Sequence, residues 1–206
     1  MVQLAIQLAA GEVTGRIPNI FEPVQIRHFA GGRMDFILPV TAESLQAVRS
    51  LHTANANQYF AAVQIRRAAK AHQKLVLHTK SGRGLIAHLL ALNAIQADDA
   101  THKGEGARFG RRALWSHLDK GLQVLIRQDV LAANGSGFAG VASFGPIGPR
   151  PNMLSIGYLI KDDAITFELR ADGCFSDQAR ALRAALDKAL LTIEKVLARC
   201  KQGEKR

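Results

Sequence analysis

MLSIGYLIKDDAITFELRA, residues 153–171, is the stretch whose reading decides the fold class. Met153 to Ile160 reads as a strand, and the Asp162-Asp163 pair behind it reads as a turn. Beyond the turn, Ile165, Phe167, Leu169 and Ala171 alternate with Thr166, Glu168 and Arg170, the period-two pattern of a sheet packed on one face. A long helix follows. Ser176 can cap it, and Leu182, Leu186, Ala189, Leu190, Ile193 and Leu197 recur at helical spacing. A hairpin backed by such a helix points to an α/β domain with a mixed, open sheet flanked by helices.

Working back from the hairpin, residues 145–151 form a Gly/Pro loop and Val141 to Phe144 a short strand. An amphipathic helix carries Trp115, Leu118, Leu122, Leu125 and Ile126 and stops before Asn134-Gly135-Ser136-Gly137. The polar run 96–110 is expected as a loop. Leu85, Ile86, Leu89, Leu90, Leu92 and Ile95 crowd a helix on most of its sides, which predicts burial. Leu75-Val76-Leu77 reads as a short buried strand. Ahead of it, Asn55 or Asn57 caps a helix with Tyr59, Phe60 and Val63 on one face and Arg66, Arg67 and Lys70 on a solvated side. A strand over 33–40 ends at Pro39, and Thr41 caps a helix whose buried stripe is Leu45, Val48 and Leu51. The breaker-rich stretch 11–33 reads as a connecting segment with at most short strands, and residues 1–10 as a short packing helix or strand.

The chain has 206 residues, 48% of them hydrophobic and 21% charged, enough for one domain with a real core. No apolar run approaches the roughly 20 residues of a membrane span, and Gln3 and Gln7 interrupt the opening stretch, which argues against a signal peptide. Cys174 and Cys200 are too few for a disulfide framework and have no metal-ligand spacing with any histidine, so free thiols in a reducing cytoplasm and no metal site are expected. The net charge of +10 attracts phosphate-bearing molecules in general: nucleic acid, acyl-CoA or acidic lipid.

Lys80-Ser81-Gly82-Arg83-Gly84, ahead of a helix, is a candidate anion site: glycine lets a ligand approach the backbone and a helix N-terminus favours negative charge. A plain basic turn is the alternative, because P-loop spacing is absent. Arg108, Arg111 and Arg112 make a second basic cluster. His117 and Asp119 are too close in sequence to face each other on a helix, and His78 beside Lys80 reads as structural. Asp172-Gly173-Cys174 has no histidine placed near it, and the Gly-x-Ser-x-Gly elbow of serine hydrolases is absent. No complete catalytic constellation can be assembled.

From Arg33 to Leu197 the order of motifs resembles the C-terminal lobe of condensation-type acyltransferases, nearest to the wax-ester synthase and diacylglycerol acyltransferase branch. The residues that carry the likeness are Leu38-Pro39-Val40, Asn55 and Asn57 before an Ala-rich helix, Ser143-Phe144-Gly145-Pro146-Ile147-Gly148-Pro149, and the closing hairpin and helix. The resemblance implies residues 1–32 as an N-terminal extension or linker, 33–200 as an acyltransferase-like lobe and 201–206 as a basic tail. It places Ser143, Phe144 and Gly145 on the substrate-tunnel wall, Phe144 standing where that family often has asparagine. It also implies acyl-CoA as co-substrate with no bound cofactor.

That family's His-His-x-x-x-Asp-Gly motif is missing, since none of the seven histidines is followed by aspartate at the fourth position. Acyl transfer needs a neutral imidazole to take the acceptor's proton. The expectation is therefore a lobe that is inactive alone, working with a separate N-terminal lobe carrying the motif or as a homodimer. A basic nucleic-acid-binding module or a non-catalytic dimerising protein are the alternatives, the first weakened by the shortage of aromatic residues for base stacking.

Overall fold

The computed structural model describes residues 1–32, 34–53, 57–92, 130–135, 142–145, 154–171 and 176–203. Strands β1 (Ile20–Gln25), β2 (Met34–Ile37), β3 (Val130–Asn134), β4 (Leu154–Ile160) and β5 (Ile165–Arg170) form one mixed sheet in the order β2-β1-β3-β4-β5. The β1–β3 and β3–β4 pairs are parallel and the two outer pairs antiparallel. Helices α1 (Val2–Thr14), α2 (Ala42–His52), α3 (Gln58–His78) and α4 (Ser176–Gly203) join the sheet in one hydrophobic core. This is the α/β sheet flanked by helices that residues 153–171 implied.

Side-chain parity along the strands decides what faces that core. Ile20 of β1, Val130 and Ala132 of β3, and Ile156 and Tyr158 of β4 point into it, while Phe21 turns to the opposite face and packs with Phe36, Leu38, Ile86 and Leu90. Glu22, two residues beyond Ile20, must therefore point toward the helices. On that face the β4–β5 register sets Tyr158 beside Phe167, ring centroids 6.3 Å apart.

Residues 1–32, expected as an extension or linker, contain α1 and β1. Val2 to Ala10 are buried on every side of α1, and β1 lies inside the sheet. Lys188 of α4 reaches Glu12 of α1 at 2.6 Å. Thr41 starts α2 through a capping box: its Oγ1 accepts from the Ser44 N–H at 3.2 Å, and its own N–H donates to Ser44 Oγ at 2.9 Å. Asn57 caps α3 by accepting from the Tyr59 and Phe60 N–H groups.

Several local readings are corrected. Leu75 to Leu77 form no strand but lie in the last turns of α3, with Leu77 59% exposed. The buried face of α3 is Ala61, Ala62, Gln64, Ile65 and Ala68, while Tyr59 and Phe60 face outward. Small alanines let α3 approach α2 and α4 closely, and that packing outweighs the greater apolar area of two rings. The helix over 86–92 is half-buried rather than enclosed, with Leu85 ahead of it 65% exposed. Val130 to Asn134, where a helix is expected to end ahead of a turn starting at Asn134, is the strand β3 between two parallel partners. Ala142 to Phe144 have no strand pairing. The loop over 96–110, the arginine cluster 108–112, the helix around Trp115, His117 and Cys174 lie outside the described residues.

Candidate functional site

Among the described residues, buried polar side chains meet around Glu22. Its carboxylate is on the helix-facing side of β1, almost wholly removed from water, a cost that only direct partners can offset. Two are present. His72, on α3, sets Nε2 2.6 Å from Glu22 Oε2, and Tyr158, on β4, donates its hydroxyl to Glu22 Oε1 at 2.9 Å. Gln3 of α1 donates Nε2–H to the Tyr158 oxygen at 3.3 Å. Burial first, and then the adjacent Glu22 charge, push the Tyr158 phenol far above its ordinary value, so it is a fixed donor at neutral pH.

A carboxylate holding an imidazole in one orientation is half of a general-base arrangement. The room beside it decides against catalysis. Gln3, Gln7, Pro39, Ser44 and His72 line a cavity of about 10 Å³, the size of one water and far below the several hundred Å³ (about 300 or more) of a substrate pocket. The cluster fastens α1, β1, α3 and β4 together. The sequence reading passed over Glu22 because it lies among breakers. Its one signal was parity with Ile20, a carboxylate on the core side of a strand.

The turn expected to hold an anion divides into two functions. Thr79–Arg83 continues α3 as a single π turn, and the Ser81 hydroxyl donates back to the His78 carbonyl at 2.7 Å. Gly82 adopts φ 78° with the Phe29 ring against it; a Cβ there would lie 3.0 Å from Phe29 Cζ. The Lys80 carbonyl meets His28 Nε2 at 2.7 Å. The helix that starts after the turn already has its anion: buried Asp35 accepts from the Ala87 N–H at 2.8 Å, and its carboxylate lies where a Gly84 Cβ would be. The glycines thus admit an internal ring and an internal carboxylate. Arg83 and Ser81 instead line a groove on the outer side of α3.

Ser143, Phe144 and Gly145 lie over the sheet face opposite the main core. Phe144 packs near Gly135 and Leu159, and Gly145 sits against the Glu168 side chain, whose carboxylate leaves no room for a Cβ there. Ser143 and Phe144 are exposed. The expected wall residues therefore lie together on an accessible face, well apart in the fold from the Glu22 cluster on the other side of the sheet. Among the described residues no three His, Cys, Asp or Glu side chains converge as metal ligands, and no helix is long and apolar enough to cross a membrane.

The family model for choline/carnitine O-acyltransferases matches residues 1–188, from α1 into α4. A putative mitochondrial carnitine O-acetyltransferase of Saccharomyces cerevisiae is 26% identical over 199 residues, 96% of this chain and 27% of that protein. The carnitine O-acetyltransferase of Columba livia is 27% identical over 198 residues, 95% of this chain and 30% of that protein. A peroxisomal carnitine O-octanoyltransferase of Bos taurus is 28% identical over 98 residues, 48% of this chain and 16% of that protein. The chain spans less than a third of the length of these relatives. The nucleic-acid and non-catalytic alternatives draw no support from these matches. The coarser part of the resemblance, to an acyltransferase family, stands; the condensation-type and wax-ester synthase branch does not, because the matching family is a different one. With its match running through nearly the whole described fold, the chain belongs to the choline/carnitine O-acyltransferase family.

Proposed function

We propose that this chain forms one lobe of an O-acyltransferase that moves an acyl group from a coenzyme-A thioester to the hydroxyl of a carnitine-like alcohol. The acceptor oxygen forms the new ester bond, the thioester C–S bond breaks, and the hydroxyl proton ends on the coenzyme-A thiol. The observation that carries the reading is the family match across residues 1–188, supported by relatives whose names specify carnitine as acceptor. The lobe's part is to position substrate, with Ser143, Phe144 and Gly145 on an exposed wall of the sheet. His72 is not the general base in this reading, because it is held against Glu22 beside a water-sized cavity, and the base is assigned to a separate lobe.

The test is a thiol-release assay with acetyl- and octanoyl-CoA and carnitine or choline as acceptor, run on the chain alone. Binding of acyl-CoA without turnover is expected, since loss of a general base alone removes about 10² to 10⁴ in rate. Turnover that disappears on replacing one histidine, His78 for instance, would show a complete site and withdraw the single-lobe reading. Failure to bind any acyl-CoA would remove the acyl-donor assignment.

A further inference from the structure

The positive charge of this chain is unevenly distributed. Residues 44–97 contain seven lysines and arginines and no aspartate or glutamate. Four of the seven, Arg66, Arg67, Lys70 and Lys74, are on α3, and Arg83 follows in the π turn. The α3 face opposite its buried Ala61, Ile65 and Ala68 carries Arg67, Lys70 and Lys74, at spacings that bring them into one row. Lys70, Lys74, Leu77, His78 and Arg83 line an open groove of about 460 Å³, and Glu43, Arg67, Lys70 and Lys74 line a second of about 440 Å³. Lys70 and Lys74 line both grooves, so the two form one trough along the helix.

Apolar groups are interleaved with this charge. Leu77 stands exposed within the cationic row, Tyr59 and Phe60 are exposed at one end, and Leu85 is exposed beyond the turn. Tyr59 and Leu77 are about 27 Å apart along the helix axis. Among the described residues no carboxylate forms an ion pair with Lys70, Lys74 or Arg83. Glu43 at the rim is the acidic side chain that lines the trough.

We propose that the outward face of α3, from Tyr59 to Arg83, seats the protein on an anionic phospholipid bilayer, with Lys70, Lys74 and Arg83 at lipid phosphates and Tyr59, Phe60 and Leu77 in the headgroup boundary. The side of a helix in mid-course presents no backbone N–H groups, so it cannot grip one phosphate as a turn or a helix N-terminus does. It can present a row of cations to a plane of phosphates. Lysine stems lie along apolar surface while their ammonium groups reach out, and tyrosine, phenylalanine and leucine at the same level gain from the boundary region. A long, open, mixed surface suits a bilayer better than a small soluble anion, which needs enclosure.

The experiment is co-sedimentation of the full chain with vesicles of phosphatidylcholine alone, and with about 30% phosphatidylserine, at about 0.1 M salt. The wild type should pellet with the anionic vesicles only and be released as salt rises. The Lys70→Glu/Lys74→Glu variant should bind at least about tenfold more weakly. Leu77→Ser should weaken whatever binding survives at higher salt. Both variants should keep the wild-type circular dichroism and melting midpoint, which separates lost binding from lost folding. No binding to anionic vesicles, or equal binding by the charge-reversed variant, overturns the proposal. So does displacement of wild type by an equal concentration of free coenzyme A, which would mark a site for a soluble nucleotide. Tighter binding to duplex DNA than to vesicles, lost in the same variant, would assign the face to nucleic acid and overturn it as well. None of these outcomes depends on acyl transfer.

Discussion

Helix α3 treats charge in two opposite ways. Facing inward at His72, it meets a carboxylate almost wholly out of water, and both oxygens of that carboxylate have a partner. Facing outward at Lys70 and Lys74, two residues to either side of His72, it carries cations that form no ion pair among the described residues. The difference follows from solvation. A buried charge without partners would cost several kcal/mol (about 3–5), so the inner group is fixed by its surroundings and serves the fold. An exposed cation is stabilised by water and needs no partner, so its placement is set by solubility or by what lands on it. Inner changes should therefore alter stability strongly, and outer changes should leave it nearly untouched.

The largest effect is expected at Glu22. Glu22→Ala strands the Tyr158 hydroxyl and loosens His72, joining β1, α3 and β4 less firmly, and should lower unfolding stability by about 3 to 5 kcal/mol in urea titrations. A loss under about 1 kcal/mol would place this network in the same class as an exposed pair and dissolve the contrast.

Tyr158→Phe comes next. It keeps the ring beside Phe167 and removes one donor, leaving Glu22 Oε1 and Gln3 Nε2 unpaired, and should cost about 1 to 3 kcal/mol. The wild type adds a pH dependence. The native state retains the phenolic proton where the unfolded chain releases it, so stability is fully present below about pH 10 and falls as pH rises beyond that value. The phenylalanine variant should lose this alkaline slope. An unchanged slope would mean that Tyr158 ionises freely and is not held by burial and Glu22.

The two faces of α3 also differ in how far the sequence revealed them. Arg66, Arg67 and Lys70 were readable as a solvated side because charge declares exposure directly. The β4–β5 hairpin was readable from strict alternation around Asp162-Asp163, and α2 from Thr41, because both signals are local. Leu75 to Leu77 misled because three apolar residues carry no period, and the helix runs on until Gly82, the first residue able to break it. Val130 to Asn134 misled because a parallel strand is defined by partners elsewhere in the chain, here β1 and β4. The Glu22 cluster was invisible for the same reason: Glu22 is 50 residues from His72 and 136 from Tyr158. Of the candidate anion turn, the basic character was legible, but the occupation of its helix N-terminus by Asp35 depends on a contact 52 residues away.

A smaller effect belongs to Thr41, at the rim of the outer face. Thr41→Ala removes the side-chain half of the capping box on α2 and should cost about 1 kcal/mol. A loss of 3 kcal/mol or more, about that expected for a buried pair, would mean that α2 depends on its cap more than on the burial of Ala47 and Val48.

The smallest change in stability is expected for Lys70→Ala/Lys74→Ala, and it tests the outer half of the comparison most directly. Neither side chain is buried or ion-paired among the described residues, and alanine is a slightly better helix former than lysine, so the melting midpoint should stay at the wild-type value. The change should be read instead at Glu43. Its carboxyl is held below the ordinary glutamate range first by its own backbone N–H, then by the Thr41 hydroxyl, and after those by the charges of Arg67 and Lys74. Removing Lys74 should raise it modestly and leave it still depressed, whereas Thr41→Ala should raise it further, the larger contribution being lost. Carboxyl titration by NMR, at low salt and again at high salt, measures both. The lysine effect should fade as salt rises, since screening acts on exposed charges, and the threonine effect should persist. A larger rise from the lysine variant than from Thr41→Ala would mean that Glu43 is an ion-pair partner first and part of the helix cap second, and the outer row would then have to be described as partly neutralised within the chain.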